Sequence, residues 1–246
     1  MDEAIEQAVL RVVKVMRDNL GEQLTIDDMA RAAMFSKFHF SRIFREVTGV
    51  SPGRFLSALR LQEAKRLLIS TSISVVDISN KVGYASVGTF SSRFKSTVGV
   101  APITYRARGG LTGSISIDHG SGAPEARPPT VAGEILAHQA HAAGPLFVGL
   151  FPGRIPQGQP ARYTVLNRPG SYVLHDVPCG TWHLLVRSIA PGEKAGAQHD
   201  FDLSQRSAGV SGPITIAPDT LSQRADVRLR PMRCVDPPML LAVPGA

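Results

Sequence analysis

Along residues 1–108 the apolar positions recur at intervals of three and four, the period of helices that bury one face. Ile26, Met29, Ala30 and Ala33 share one such face, and Phe40, Phe44 and Val47 share the next. The pair of stripes then returns as Val75, Ile78 and Val82, followed by Phe90, Phe94 and Val98. Beyond residue 108 the period changes. Short β-branched and aromatic runs alternate with Gly and Pro: LFVGLFP, ARYTVL, SYVLHDV, TWHLLVRSI, GPITIA and ADVRLR. Such runs read as strands. Between the two regimes, residues 109–129 are rich in Gly, Ser and Pro and read as a linker. The expected organisation is multidomain, α then β: an all-α domain over 1–108 and a Greek-key-like β-sandwich over 130–246.

The helical part contains itself twice. At an offset of 49, Thr25 matches Ser74, Asp28 matches Asp77, Met29 matches Ile78 and Phe35 matches Tyr84. At an offset of 50, Phe40 matches Phe90, Phe44 matches Phe94, Arg45 matches Lys95, Gly49 matches Gly99, Pro52 matches Pro102 and Phe55 matches Tyr105. One extra residue lies in the second copy, between Tyr84 and Phe90. Each copy carries its own punctuation. Thr25 and Ser74 suit a helix start, with an Asp three residues later close to the capping-box pattern. Gly83 breaks the first helix of the second copy, where Met34 stands in the first. A second helix begins near Ser36 or Ser86 and stops at Gly49 or Gly99, with Pro close behind. Two short helices joined by a tight turn form a helix-turn-helix, here over about 25–49 and again over about 74–99.

Between the copies, residues 52–70 read as a helix with Phe55, Leu59, Ala64, Leu67 and Leu68 as its apolar stripe. At 1.5 Å per residue it spans roughly 25–30 Å. Successive major-groove faces of a duplex lie about 34 Å apart. A stiff spacer of this length suits one chain reading two adjacent turns. Arg60 and Arg66 on this helix are either phosphate contacts or internal partners, with the structural role favoured for Arg60. In the first module the polar face presents Lys37, His39, Ser41, Arg42 and Arg45. Arg can bond a guanine edge with two hydrogen bonds, while Lys37 and Arg45 suit phosphates. The second face offers Val87, Gly88, Ser91, Ser92 and Lys95, with Arg93 to one side. Serine discriminates bases weakly. The first helix is therefore expected to supply most of the sequence specificity.

Charge agrees with this division. Residues 1–110 hold 16 Lys and Arg against 10 Asp and Glu; residues 111–246 hold 11 against 10. The basic surplus sits where a polyanion would bind. The acidic, then amphipathic start MDEAIEQAVLRVVK does not read as a signal peptide, and no run of eighteen apolar residues exists, so a cytoplasmic chain without a membrane span is expected. Cys179 and Cys234 are too few and too far apart for a zinc site or a disulfide scaffold. No cofactor is expected.

With these residues in place, 5–108 resembles the AraC/XylS family of transcription regulators. The resemblance is carried by Ile78-Ser79, Val82-Gly83-Tyr84, Phe90, Phe94-Lys95, Gly99, Pro102 and Tyr105-Arg106, and in the spacer by Phe55, Arg60, Ala64 and Leu67-Leu68. It implies double-stranded DNA as partner and contacts at Lys37, Phe38, His39, Ser41 and Arg42, then at Ser86, Val87, Gly88, Ser91 and Ser92. Arg45 and Lys95 complete the expected set. There are two departures. Where the family commonly has Arg in its second recognition helix, this chain has Ser92, with Arg93 one place and about 100° further round. Many members also place this part last, after a cupin-like sensor; here it comes first, and no cupin pattern follows.

Residues 130–232 resemble the transthyretin-like or carboxypeptidase-regulatory β-sandwich, through Val131, Gly133, the run Leu146–Leu150, Gly170, Tyr172, Val177, Pro178, Gly180, Thr181 and Trp182. The segment around Pro178 and Gly180 reads as a hairpin whose second strand turns Trp182, Leu184 and Val186 inward. This fold is nearly silent on function. The transthyretin-like fold includes hydrolases that use His and Arg. His138, His141, His175 and His183 are available with Arg154, Arg162 and Arg187, yet no spacing among them is diagnostic, and His138 with His141 reads as loop rather than as a metal pair. No nucleophile motif, phosphate loop or paired-carboxylate arrangement stands out, so a non-enzyme is expected, the alternative being a C-terminal hydrolase with an attached DNA-binding domain. The sandwich is left with two readings: a sensor for a small-molecule effector, or an interaction module for a homodimer or RNA polymerase.

Overall fold

A computed structural model describes residues 3–110, 128–137, 144–189 and 206–240. They fall into two compact units. One joins residues 3–110 with 234–240; the other lies within 128–233.

The first unit is helical: α1 (Glu3–Asp18), α2 (Ile26–Ala33), α3 (Lys37–Thr48), α4 (Pro52–Ser70), α5 (Val75–Lys81), α6 (Val87–Val98) and α7 (Pro102–Ala107). The duplicated caps do what their chemistry predicts. Thr25 closes a full capping box on α2, accepting from the Asp28 N–H while the Asp28 carboxylate accepts from the Thr25 N–H. Ser74 accepts from the Asp77 N–H at the start of α5. Gly49 and Gly99 end α3 and α6 at φ 78° and 99°, the left-handed conformation that glycine adopts without penalty. The two tight turns are built alike. Phe35 donates to the Ala30 carbonyl and Tyr84 to the Ser79 carbonyl, each reaching five residues back. Met34 (φ 60°) and Gly83 (φ 80°) hold the left-handed position between them. The extra residue of the second copy is Ala85, placed in the turn.

Aromatic rings form each module's core. Phe40, Phe44 and Phe55 meet edge to face in the first, their centroids 5.4 Å apart at each step. Tyr84, Phe90, Phe94 and Tyr105 repeat the ladder at 5.4–5.6 Å in the second. Phe40, Phe44, Phe55, Phe90, Phe94 and Tyr105 are fully buried, each burial worth about 2–3 kcal/mol by transferred area. Helix α4 differs from the single stripe expected of it. Leu56, Ala58 and Leu61 are buried as well as Phe55, Leu59, Ala64, Leu67 and Leu68, and no residue from 55 to 69 is exposed. It packs on α1 and α3 toward one module and on α5 and α7 toward the other. It is the spine of the unit. Residues 234–240 also belong here: Val235 and Leu240 are fully buried, and Lys65 of α4 donates from Nζ to the Met239 carbonyl (3.3 Å). The expectation of one domain from 130 to 246 differs at this tail, because its apolar residues are buried in the helical unit instead.

The second unit is β-rich: β1 (Thr130–Leu136), β2 (Leu146–Phe151), β3 (Tyr163–Leu166), β4 (Ser171–Leu174), β5 (Gly180–Ser188), β6 (Ser207–Ile216), β7 (Ser222–Arg224), β8 (Val227–Arg228) and β9 (Arg230–Pro231). In one sheet β1 pairs antiparallel with β4 and parallel with β7 and β8. The other runs β3-β2-β5-β6-β9, antiparallel throughout. One apolar core gathers Val131, Ile135 and Tyr172 from the first sheet and Val148, Leu184, Val186 and Ile214 from the second. Trp182 packs at its edge, so the inward residues of β5 are as expected. The expected hairpin is not formed. β4 pairs with β1, whereas β5 pairs with β2 and β6. The segment between them is a corner from one sheet to the other. Asp176 turns the chain at φ 56°, Val177 donates to Pro129, and the Trp182 indole donates to the Pro178 carbonyl across the bend.

Candidate nucleic-acid interface

Helix α3 buries Phe40, Ile43, Phe44 and Val47 and leaves its other side open. Lys37, Phe38, His39, Arg42 and Arg45 are exposed there, with Ser41 at the margin. Phe38 is 84% exposed at the helix's first turn. A bare aromatic ring beside cations suits the methyl edge of thymine, which polar groups leave unfilled. The expected residues differ in how free they are. The Lys37 ammonium lies 3.3 Å from the Asp27 carboxylate, both largely exposed. The Ser41 hydroxyl donates to the Lys37 carbonyl (2.8 Å), so its remaining capacity is to accept. His39 stands edge-on to Phe35, with 4.8 Å between ring centres. Arg42 projects from the middle of the helix and Arg45 from its last turn, about one turn further on.

On α6 the buried side is Phe90, Phe94, Thr97 and Val98. The outer side exposes Val87, Gly88, Ser92, Arg93 and Lys95, with Ser91 half-buried. Ser86 is spent on structure: its hydroxyl accepts from the Thr89 N–H (3.1 Å) as the helix cap. Gly88, Thr89, Ser92, Arg93 and Ser96 line one shallow, open depression. Thr89 and Ser96 were missed by sequence reasoning. The signal was present, since Gly88, Ser92 and Ser96 follow one another at the four-residue spacing of a helix face. Arg93, set aside in sequence, lines the same depression as Ser92.

The spacer's arginines are internal. Arg60 donates from Nε to the Leu20 carbonyl (3.0 Å) and from Nη2 to the Glu22 carbonyl (2.6 Å). Arg66 pairs with Glu63 through Nε (2.8 Å) and Nη2 (2.6 Å). Arg106 donates to the carbonyls of Leu68 (2.9 Å) and Ile73 (2.6 Å). In the β-rich unit His175 only lends its carbonyl to Arg162, and Arg187 is buried. Burial, then the nearby Arg154 charge, pushes the His183 imidazole below its ordinary range. His138 and His141 lie outside the described residues. Cys179 and Cys234 are exposed and unpaired. Among the described residues no cluster of His, Cys, Asp and Glu could hold a metal ion, and no helix is long and apolar enough to cross a membrane.

This geometry, two short helices ending in an open polar face and built twice around one spine, defines a tandem helix-turn-helix unit. Residues 29–108 match the family described as a helix-turn-helix domain. An activator from Providencia stuartii, HTH-type transcriptional activator AarP, is 35% identical over 88 residues, covering 36% of this chain and 65% of its own. The RCS-specific HTH-type transcriptional activator RclR of Escherichia coli is 35% identical over 97 residues, covering 39% and 34%. The chain thus spans less than two thirds of the length of these relatives. A crystal structure of a transcriptional regulator with an AraC-type DNA-binding domain from Chromobacterium violaceum is similar at 31% identity and a TM-score of 0.41, covering 42% of this chain and 92% of that one. The DNA-binding domain of AdpA, solved with a target DNA, is similar at 31% identity and a TM-score of 0.39, covering 40% and 89%. Residues 29–108 thus match a helix-turn-helix domain, and the curated relatives that share this stretch are HTH-type transcriptional regulators.

Proposed function

We propose that the protein is a sequence-specific transcription regulator that lays α3 and α6 in two successive major-groove segments of one duplex. The observation that carries this reading is the duplicated helix-turn-helix on a single spine, with an open cationic face on α3. Lys37, Arg45 and Lys95 hold phosphates, while Phe38, His39, Ser41 and Arg42 read base edges from α3. Val87, Gly88, Ser91 and Ser92 form the weaker reader on α6, and Ser86 presents its backbone at the helix start. At 19 residues, α4 is about 28 Å long, close to the separation of adjacent groove faces.

The proposed organisation is a DNA reader over 1–108, a linker over 109–129 and a β-sandwich from 130. In this reading the sandwich is a non-catalytic module of Greek-key type. It biases DNA binding through an effector, a second copy of the chain or RNA polymerase. Support comes from the single core shared by both sheets.

Selection of full-length protein against a random duplex pool tests the proposal. The expected product is an asymmetric site with two informative blocks about one helical turn apart. Affinity should fall with salt at a log–log slope of about −0.9 per phosphate contacted. Recovery of no enriched sequence would overturn the reading.

A further inference from the structure

Packing on a spine helix fixes how far apart two modules sit more firmly than it fixes their rotation about its axis. A second point of contact, away from that axis, resists such rotation with the longer lever arm. The structure contains one. The loop between α1 and α2, in the first module, meets the end of α5, in the second. A methyl group built on Gly21 would stand 3.0 Å from the Lys81 carbonyl oxygen, and one on Gly83 would stand 2.5 Å from the Leu20 carbonyl oxygen. Arg60 reaches this junction from the spine. Its guanidinium holds the Leu20 and Glu22 carbonyls, and the same group lies 2.7–2.8 Å from the place of a Gly83 methyl. Three segments therefore converge on one side chain: the first module's entry loop, α4, and the left-handed turn that launches α6. Arg106 offers a contrast. It also donates to two carbonyls, that of Leu68 near the end of α4 and that of Ile73 just before α5, and so ties α7 to the segment that leads into its own module, not to the other module.

We propose that Arg60 is the positioning residue that sets the rotational pose of α6 relative to α3, and so fixes the spacing of the two half-sites the protein accepts. This rests on the DNA-reading function above. A charged donor to a carbonyl is worth more than a neutral one, and two such bonds in a fork hold orientation as well as distance. One inserted base pair shifts a half-site by about 3.4 Å and about 35°. A rigid junction rejects that shift; a loosened one follows it.

The test uses full-length protein and the site chosen by selection, with spacers lengthened or shortened by one and two base pairs. Wild type should lose about tenfold or more in affinity per base pair of misfit. Arg60→Lys and Arg60→Gln should bind the native spacing about tenfold more weakly, while their spacing penalty falls to about threefold or less. Arg106→Lys, which loosens one module internally, should lower the melting temperature and leave the spacing profile steep. Folded Arg60 variants that weaken equally at every spacing would overturn the proposal alone. So would failure of both variants to fold, which would make Arg60 a stability residue. A wild-type protein that selects no two-block site would overturn the DNA reading together with this one.

Discussion

Arg42 and Ser92 occupy comparable midsections of α3 and α6, the two helices proposed to read DNA, and their chemistry differs. A guanidinium makes two directed bonds to guanine, whereas a hydroxyl fits several bases. Arg42→Ala should therefore cost about 1–3 kcal/mol in DNA binding and flatten preference at one base position, measured by selection against a random pool. Ser92→Ala should leave that preference intact. Met34 poses a different residue-scale question. It holds a left-handed φ of 60° while 77% exposed, so it gives the turn strain without packing in return. Met34→Gly should stabilise the protein by about 1 kcal/mol in chemical denaturation. The capping box adds a pH signature. The Thr25 hydroxyl, then its backbone N–H, holds the Asp28 carboxyl below the usual carboxylate range, with Arg31 nearby. A carboxyl depressed in the folded state gives stability that is present above its unfolded value, about 3.9, and is lost as pH falls through the folded value. Thr25→Ala should cost about 1 kcal/mol at neutral pH, and the gap from wild type should narrow on acidification below about pH 4, as the carboxylate's share is lost while the hydroxyl's bond to the Asp28 N–H remains.

At the scale of elements, the two glycines around α6 make a matched pair. Gly83 is left-handed and has the Leu20 carbonyl and the Arg60 guanidinium where a methyl would go. Gly88, on the open face, has only the Ser86 hydroxyl oxygen at 3.8 Å. Gly83→Ala should lower stability by about 2–3 kcal/mol from backbone strain and overpacking together. Gly88→Ala should leave stability unchanged or slightly raised, as expected for an exposed helix position, so any loss of DNA binding it causes reports close backbone approach. Most of the helical elements were legible in the sequence because their signals are local: Thr25, Ser74, Gly49 and Gly99 act on their own turns, and Phe40 or Phe90 needs only its helical period. Three features were not legible. The hairpin expected at Pro178–Gly180 is a corner, since alternation tells which way Trp182 and Leu184 point but not which sheet their strand joins. Helix α4 is buried nearly all round, because how many neighbours a helix has is settled by where other segments come to rest. The partners of Arg60 are backbone carbonyls, which every residue carries and no sequence pattern marks. Its structural role was readable; its position at the junction of two modules was not.

For the whole molecule, the basic surplus of residues 1–110 and the near balance of 111–246 separate a polyanion-facing unit from a nearly neutral one. The helical unit nevertheless includes residues 234–240, whose buried Val235 and Leu240 carry no helical or strand period. Removing residues 234–246 should lower the melting temperature of the helical unit by several degrees, as the loss of two buried aliphatic side chains would. Differential scanning calorimetry of the truncated and full-length chains checks this, and equal helical-unit transitions would argue against it.

That tail also sets an order of events during synthesis. Residues 3–110 leave the ribosome first, yet the piece that covers Lys65 follows about 120 residues later. At the usual elongation rate this is a delay of roughly 6–25 seconds. Throughout that interval the nascent DNA-binding unit stands one segment short. A chain released early would carry every exposed residue of α3 and α6 on a helical unit that lacks the tail's contribution to stability, and would be the more open to proteolysis for it.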